Sequence, residues 1–271
     1  MRDEVTIMPA YTPPKARSLL EPHRLLLMAV FLAIVVCAVV FMRWDWLPKY
    51  QDRLIAGVWQ TLVLLVTTSF VGFLLAVPLG LVQVTGPRPL KWFAQGFCTI
   101  IRGTPLLLQL WLIYYGLGAV LAQYPEVRSS FAWPYLRQAW PYGFVALVLS
   151  FAAYEGEVMR GAFAGVPRGE LEAARAFGMG RFTLFRRIWL PRAIHRSLPT
   201  LTGETVLQLK STPLVATITV VDAYSVITKV RADTFLTYEP LLLLAAIYVV
   251  LTGILVIGFR FLENRIPSRG A

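Results

Sequence analysis

Charged residues are scarce in this sequence, since only 15% of its 271 residues are Asp, Glu, Lys or Arg. Soluble domains average about 25% charged residues, so the composition excludes an ordinary soluble globular protein. Cysteine and histidine are scarce too, with two residues of each. Because Cys37 and Cys98 are far apart and form no CxxC pattern, the sequence offers neither a disulfide framework nor a metal site.

The chain also lacks the motifs of several enzyme classes. It has no GxxxxGK[ST] loop for nucleotide phosphates, because Lys210-Ser211 follows a leucine and not a glycine-rich run. It has neither HExxH nor GxSxG, and its histidines, His23 and His195, lie outside the apolar segments, which disfavours an intramembrane hydrolase. We therefore expect a non-catalytic chain with no cofactor or metal of its own.

What the sequence does have is long apolar runs. Hydrophobic residues make up 57% of the chain and the mean hydropathy is +0.62. Uncharged blocks of roughly twenty residues recur, which is the length that an α-helix needs to cross a ~30 Å hydrocarbon layer. The sequence thus predicts an all-α polytopic membrane protein with six spans, at 25–42, 55–83, 104–122, 141–162, 198–221 and 240–260.

Basic residues are distributed unequally between the two predicted sides of the membrane. Of the 26 Lys and Arg residues, 18 fall in segments on one side and 7 on the other, and Lys210 lies within a span. The positive-inside rule then places both termini and the long connection 161–197 in the cytoplasm. This asymmetry also explains the formal charge of +11, so nucleic acid is not expected as a partner.

The connection 161–197, called here the 161–197 segment, is too basic to span a membrane and is patterned like two short helices. The first helix lies within the stretch 169–178. It has acidic residues in its first turn and Arg175 in its last turn, and Gly178 follows that last turn, which is typical of helix ends. The second helix is predicted at 181–190, where a basic and aromatic stretch occurs.

Two details of the 161–197 segment bear on its role. Pro191 is predicted to end the second helix. Leu171, Ala174 and Gly178 fall on one side of the first helix, and the two small residues would let a partner surface approach closely. The alternative is a helix that lies on anionic lipid at the membrane surface.

The same segment carries a spaced motif. Its fixed positions resemble the EAA loop of ABC importer permeases and are Glu172, Ala173, Ala174, Gly178, Ile188, Leu190 and Pro191. Other motifs resemble the polar amino-acid branch of that family, whose members carry histidine, arginine, glutamine and opines. These motifs are Arg102-Gly103-Thr104-Pro105-Leu106, Gln109-Leu110, Tyr114-Tyr115-Gly116, Ala153-Tyr154, Glu157, Arg160-Gly161, Val166-Pro167-Arg168-Gly169-Glu170 and Lys210-Ser211-Thr212-Pro213-Leu214.

This resemblance covers about residues 54–265 and is not complete. Glu170 stands where many relatives carry Gln, and Pro213 where Ser is common. Residues 1–53 have no counterpart in the family core. The resemblance implies a type I ABC importer permease of five transmembrane helices, to which this chain adds one N-terminal helix. The expected organisation is a cytoplasmic tail 1–24, the extra helix and its connection 25–53, the permease domain 54–265 with the 161–197 segment inside it, and a cytoplasmic tail 266–271.

The resemblance also implies a function and a set of partners. The chain would be the permease subunit, in the bacterial inner membrane, of an importer that moves polar amino acids or opines by alternating access. Its expected partners are a dimer of ATP-binding subunits that hold ATP and Mg, a second permease chain or second copy, and a periplasmic substrate-binding protein. The residues expected to couple it to the ATPase are Gly169, Glu170, Glu172, Ala173, Ala174, Arg175 and Gly178.

Ionisable residues within the predicted spans are costly and mark functional candidates. Glu157 and Arg160 are three residues apart and are predicted to form an ion pair, while a role of Glu157 in the substrate pathway remains the alternative. Glu155 has no such neighbour and is predicted to face either the translocation path or another subunit. Lys210 is predicted to need an acidic or carbonyl partner, and Arg102 to anchor its helix or contact another subunit.

The fifth span carries a polar stripe made of Thr200, Glu204, Gln208 and Ser211 at steps of four, four and three. Such a stripe must face protein or water, either as polar contacts between subunits or as a wall of the substrate pathway. Pro213 leaves the carbonyl of the residue four before it without a donor, so a kink is expected there.

Two further predictions complete the sequence reading. Thr104 is predicted to cap the third span, with Pro105 at its first helical position. The rival function is an ion-coupled secondary amino-acid transporter, with which Glu155, Glu204 and Lys210 are compatible, although the internal repeats frequent in such carriers are not seen. The membrane carboxylates suit a basic amino acid, and a polar amino acid or opine is the class the sequence supports.

Overall fold

The computed structural model of the chain describes residues 22–265, and within that range every regular element is a helix. Residues 1–21 of the predicted N-terminal tail and the predicted tail 266–271 lie outside the described residues. The chain divides into two compact units, Met1–Asp45 and Trp46–Ala271. The first unit contains helix α1, Pro22–Phe41, which covers most of the predicted span 25–42.

The second unit begins at Trp46, and its first helix starts at Leu47. Its helices are α2 Leu47–Thr85, α3 Arg88–Gly103, α4 Leu106–Gln123, α5 Pro125–Arg128, α6 Trp133–Leu136, α7 Trp140–Ala164, α8 Arg168–Ala176, α9 Arg181–Ile218, α10 Ala223–Thr234 and α11 Tyr238–Arg265. Among residues 22–265, four helices are long and apolar enough to cross a membrane, namely α2, α4, α7 and α11, and a fifth crossing results if α9 and α10 form one bent span.

Helices α2 and α7 pack along most of their length and form the centre of the second unit. Small residues permit this close approach. A Cβ atom at Gly72 would lie 2.8 Å from the Phe151 ring, and one at Gly80 would lie 2.7 Å from Cβ of Met159. Close packing through small residues is the common way to hold helices together in a membrane, so α7 is largely enclosed while α4 and α11 stay open on most of their surface.

Helix α9 corrects two predictions. It begins at Arg181 as expected, but Pro191 does not end it, and the helix continues without a break to Ile218. The turn just before this proline, Phe185–Trp189, is a π-helix. A wider turn moves the preceding carbonyl away from the proline ring, and this removes the clash that the prediction assumed.

The kink expected at Pro213 is also absent there. The helix tightens instead into a 3₁₀ segment, Thr212–Ile218, and the Thr212 hydroxyl donates to the freed carbonyl of Leu209 at 2.8 Å. The change of direction, 54°, falls between Ile218 and Ala223. Thr219 there has φ 70°, and the buried Asp222 closes the turn by a capping box with Ser225 at the start of α10.

Candidate functional site

The first helix of the 161–197 segment, α8, ends as its sequence predicts. Gly178 has φ 76° and is the C′ residue of a Schellman motif. Its amide donates to the carbonyl of Arg175 at 2.9 Å, and the amide of Met179 donates to that of Ala174 at 3.1 Å. This end therefore depends on a left-handed backbone that glycine adopts without a Cβ penalty, and it fixes the sharp turn from α8 into α9.

A groove of about 610 Å³ lies between α8 and α9. Its wall includes the ion pair between Glu170 and Arg192, whose oxygen and nitrogen are 3.0 Å apart. Ala174 is only 4% exposed and lies at the floor of this groove. The apolar side of α8, with Leu171, packs against the chain's own core, and the predicted role of Ala174 in coupling to an ATPase stays a prediction.

The outer face of α8 is formed by exposed residues that include Gly169, Glu172, Ala173 and Arg175. Phe177, at the helix end, is 86% exposed and was not among the predicted site residues. Phe177 also lines the groove between α8 and α9. The sequence could have singled out Phe177 because it directly precedes the C′ glycine, where a fully polar segment would carry a polar residue.

Aromatic residues fasten the 161–197 segment to the end of α7. The indole Nε1–H of Trp189 donates to the carbonyl of Phe163 at 3.0 Å, and the two rings form an edge contact with centroids 5.5 Å apart. Phe185 adds a second ring at 6.2 Å from Phe163. These contacts pack the 161–197 segment against the end of α7.

The predicted ion pair between Glu157 and Arg160 is present on α7, with a nitrogen–oxygen distance of 2.9 Å. Arg102, from the end of α3, approaches the same Glu157 oxygen at 3.9 Å, and its guanidinium lies 5.3 Å from the ring centroid of Tyr154. Arg102 thus contacts Glu157 and Tyr154 of its own chain, and the two roles predicted for it, as helix anchor or as contact with another subunit, stay predictions. This cluster joins α3 to α7.

The residues around Thr104 differ from the predicted helix cap. The Thr104 hydroxyl donates back to the carbonyl of Ile100 at 2.9 Å, and Pro105 occupies the capping position of α4 with no side-chain cap bond. The side-chain amide of Gln109 holds the break, donating to the Ile101 carbonyl at 2.7 Å and to the Thr104 hydroxyl at 2.8 Å. Hydrogen bonds within the chain therefore stabilise the break between α3 and α4.

The predicted polar stripe on α9 divides into two parts. Gln208 is buried and its amide donates to the Thr68 hydroxyl at 3.0 Å and to the Leu147 carbonyl at 3.1 Å, so it joins α9 to α2 and α7. Glu204 and Ser211, together with Gln208, also line a cavity of about 260 Å³ between α4, α7 and α9. Gln208 is thus a polar contact within the chain and Glu204 lies on a cavity wall. The two roles predicted for the stripe, as contact between subunits or as wall of the substrate pathway, stay predictions.

Glu155 lies deeper than predicted. It is 0% exposed and enclosed by the chain itself. Both of its carboxylate oxygens lack a hydrogen-bond partner among the described residues. Glu204 is the nearby carboxylate that acts on it electrostatically. A buried polar group without a partner costs about 1–3 kcal/mol, and an ionisable group within a membrane helix is a candidate functional residue.

The chain is similar to proteins of one transport family. Residues 68–267 match the family described as "Binding-protein-dependent transport system inner membrane component". The chain is 41% identical over 210 residues to the octopine transport system permease protein OccM of Rhizobium radiobacter, covering 78% of this chain and 84% of that protein. It is 33% identical to the histidine/lysine/arginine/ornithine transport system permease protein HisM of Salmonella typhimurium, covering 81% and 91%.

Solved structures agree on the fold. An amino acid ABC transporter crystallised with histidines has a chain that superposes with a TM-score of 0.69 at 30% identity, covering 83% of this chain and 99% of that one. The inward-facing MetNI methionine ABC transporter gives a TM-score of 0.62 at 18% identity, covering 80% and 97%. The second likeness concerns the fold alone.

Proposed function

The chain belongs to the family of binding-protein-dependent transport system inner membrane components, and from that premise we propose that it is the permease subunit of an ATP-driven importer of polar amino acids or opines. The names of its relatives support this solute class. The proposed direction is from periplasm to cytoplasm, and the proposed energy source is a pair of ATPase subunits encoded separately.

One observation carries the proposal, which is the construction of the 161–197 segment. Helix α8 is short, ends in a rigid Schellman turn at Gly178, and presents exposed Phe177 beside a groove. Trp189 and Phe163 connect it to α7. An exposed helix that is held rigidly is suited to transmitting movement. A partner that pushes on it displaces a membrane helix without first deforming the loop.

The 161–197 segment also bears on the proposed contacts with the ATPase and on the proposed orientation of the chain in the membrane. We infer that Glu172 and Arg175, both exposed, meet groups of opposite charge on the ATPase, and that Phe177 enters an apolar site there. The basic 161–197 segment then lies in the cytoplasm, in agreement with the positive-inside rule. A second permease chain would cover the polar side of α9 that Glu204 marks, and a soluble binding protein would deliver the solute.

Reconstitution of the complete complex in liposomes tests this function. The permease, its ATPase subunits, the second permease where one exists and the binding protein are reconstituted, and uptake of radiolabelled amino acids and octopine is measured with ATP inside the vesicles. We expect uptake that requires ATP, the ATPase subunits and the binding protein. We also expect uptake to persist when ionophores collapse all ion gradients.

The result that would contradict the proposal is specific. Uptake by the permease alone, driven by an imposed proton or sodium gradient and indifferent to ATP, would assign the chain to the ion-coupled secondary transporters. A Phe177→Asp variant adds a check on the role of the 161–197 segment. Because this side chain makes little contact with its own chain, the variant should assemble as a folded permease yet lose stimulation of ATP hydrolysis by the loaded binding protein.

A further inference from the structure

We propose that the chain binds an anionic phospholipid in a pocket where the 161–197 segment meets the end of α2. This pocket, called here the basic pocket, has a volume of about 760 Å³ and is formed by α2, α8, α9 and the turn between the last two. It shares only Met179 with the groove between α8 and α9 described above. The inference goes beyond the proposed function, because it concerns the surrounding membrane and neither the solute nor the energy source.

The charged side chains on the wall of the basic pocket are basic. Arg175 of α8 and Arg181 of α9 line it, and none of the described residues on its wall is Asp or Glu. Both arginines are exposed, and neither forms an ion pair among residues 22–265, whereas Arg192 of the same segment pairs with Glu170. Their charges are therefore available to an anion, and the guanidinium group binds phosphate oxygens through parallel N–H donors.

Arg175 is also one of the residues proposed above to meet the ATPase. A guanidinium group carries five N–H donors, so Arg175 can contact a lipid phosphate from the pocket and an acidic group of the ATPase from the outer face of α8. Arg181 has no such second role, and the assignment of the lipid phosphate therefore depends chiefly on Arg181.

The basic pocket lies at the end of a membrane helix. Leu81 and Thr85 line it from the last turns of α2, which ends at Thr85 and is long and apolar enough to cross a membrane. The polar headgroups of phospholipids lie at the level where such a helix leaves the hydrocarbon layer. Basic pockets beside membrane helices on the cytoplasmic side bind anionic headgroups, and the proposed orientation places this end of α2 on that side.

The remaining wall of the basic pocket is largely apolar. It includes Leu184, Phe185 and Trp189 of α9 together with Leu81 of α2, and tryptophan is enriched where proteins cross the boundary between membrane and water. A free phosphate ion is far smaller than this pocket and would leave the apolar wall facing water. A phospholipid brings a phosphate for the arginines and acyl chains for the apolar wall, so the combination favours a lipid over a soluble anion.

The composition of the whole segment agrees with a lipid ligand. Residues 161–197 contain seven arginines and two glutamates, and Phe182, which follows Arg181, is 73% exposed. Basic residues interleaved with aromatic residues are typical of segments that lie at the surface of an anionic membrane. The surface that the sequence predicts for an ATPase is the outer face of α8, while the basic pocket has α2 as one wall. The observations therefore favour a lipid over an acidic surface of the ATPase.

Native mass spectrometry tests the inference on the full-length permease purified with its ATPase subunits. The complex is delipidated and titrated with phosphatidylglycerol or with phosphatidylcholine that has the same acyl chains. Arg181→Gln is compared with Arg186→Gln, because Arg186 is exposed on the same helix but does not line the basic pocket. Both variants lose one positive charge, so non-specific attraction to anionic lipid changes equally.

A second pair of variants adds charge to the pocket wall. Thr85→Glu places a carboxylate there that competes for the arginines, and Thr85→Gln adds a side chain of the same size without the charge. Thr85 is exposed at the helix end, so both variants are expected to fold. The melting temperature of every variant is measured with and without phosphatidylglycerol.

We expect the wild-type complex to bind phosphatidylglycerol roughly tenfold or more tightly than phosphatidylcholine. Arg181→Gln should reduce this preference about fivefold, which is the contribution of one basic residue near anionic lipid, and Thr85→Glu should reduce it at least as much. Arg186→Gln and Thr85→Gln should change it less than about twofold. Phosphatidylglycerol should raise the melting temperature of wild type and Thr85→Gln but not of Thr85→Glu, because a ligand of the folded state stabilises it.

Four results would overturn the inference. Equal affinity of wild type for the two lipids would show that no anionic headgroup is recognised. Equal losses in Arg181→Gln and Arg186→Gln would show diffuse surface charge in place of a site. Displacement of the lipid by glycerol 3-phosphate at equal concentration would show a small-anion site. Binding to the permease alone that is abolished by the ATPase subunits would assign the pocket to the ATPase. None of these measurements uses solute uptake, so the proposed function stands or falls separately.

Discussion

Substitutions at Gly178 can distinguish an effect on the fold of the permease from an effect on its contact with a partner. Its backbone has φ 76°, and a Cβ atom added there would meet no atom of the chain within 4 Å. Asn tolerates the left-handed region better than other residues with a Cβ. Gly178→Asn therefore adds a side chain that the permease itself can accommodate, while a close partner surface cannot.

The structure sets the size of each effect. A residue that disfavours the left-handed region costs about 1–2 kcal/mol, so Gly178→Ala should lower the melting temperature by roughly 2–8 °C if 1 kcal/mol corresponds to about 2–4 °C at this chain length. Gly178→Asn should lower it less. If α8 packs directly on an ATPase, the added Asn side chain should nevertheless reduce solute uptake at least tenfold.

Uptake and ATP hydrolysis in proteoliposomes, with melting temperature in detergent, measure these quantities together. Gly180→Asn is the matched control, because Gly180 has φ −65° and open space around it. The expected pattern is near-normal melting for both Asn variants, with uptake lost only at position 178. Uptake by Gly178→Asn within twofold of wild type would show that no partner packs closely on this turn.

Two further predictions concern the interior. Trp189→Phe removes the hydrogen bond to Phe163 while keeping an aromatic ring. Because such a bond contributes about 1 kcal/mol, we expect a small loss of stability, and we also expect more ATP to be hydrolysed per solute transported. An unchanged ratio of ATP hydrolysed to solute transported would argue against a role of Trp189 in connecting the segment to α7. Glu155→Met removes two buried oxygens without partners. It should raise the free energy of unfolding by about 1–3 kcal/mol and lower arginine uptake. A variant less stable than wild type would reveal an unrecognised partner of Glu155.

Local sequence patterns predicted the elements whose stability is local. The helix end at Gly178 could be inferred because a Schellman turn needs only a few neighbouring residues. The pair of Glu157 and Arg160 could be inferred because residues three apart meet on any helix. The apolar runs likewise predicted α2, α7 and α11, since span length is set by the bilayer and not by packing.

Features that depend on tertiary context were not predictable in the same way. Pro191 reads as a helix end in sequence, yet a π turn before it lets α9 continue. Thr104 reads as a helix cap, but Gln109 competes for its hydroxyl after the chain breaks direction. The burial of Glu155 depends on how α7 lies against its neighbours, which no periodicity of a single helix determines.

The two ends of the proposed mechanism are connected by one helix. Trp189 fastens the 161–197 segment to the Phe163 end of α7, and Gln208 fastens α9 to the carbonyl of Leu147 near its other end. Ser150, on the cavity wall, is thirteen residues from Phe163, or about 20 Å along an unbroken helix. If α7 moves as a rigid rod, as the proposed function requires, a movement of the segment would also move the wall of this cavity. Loosening the Trp189 end should then lower transport per ATP.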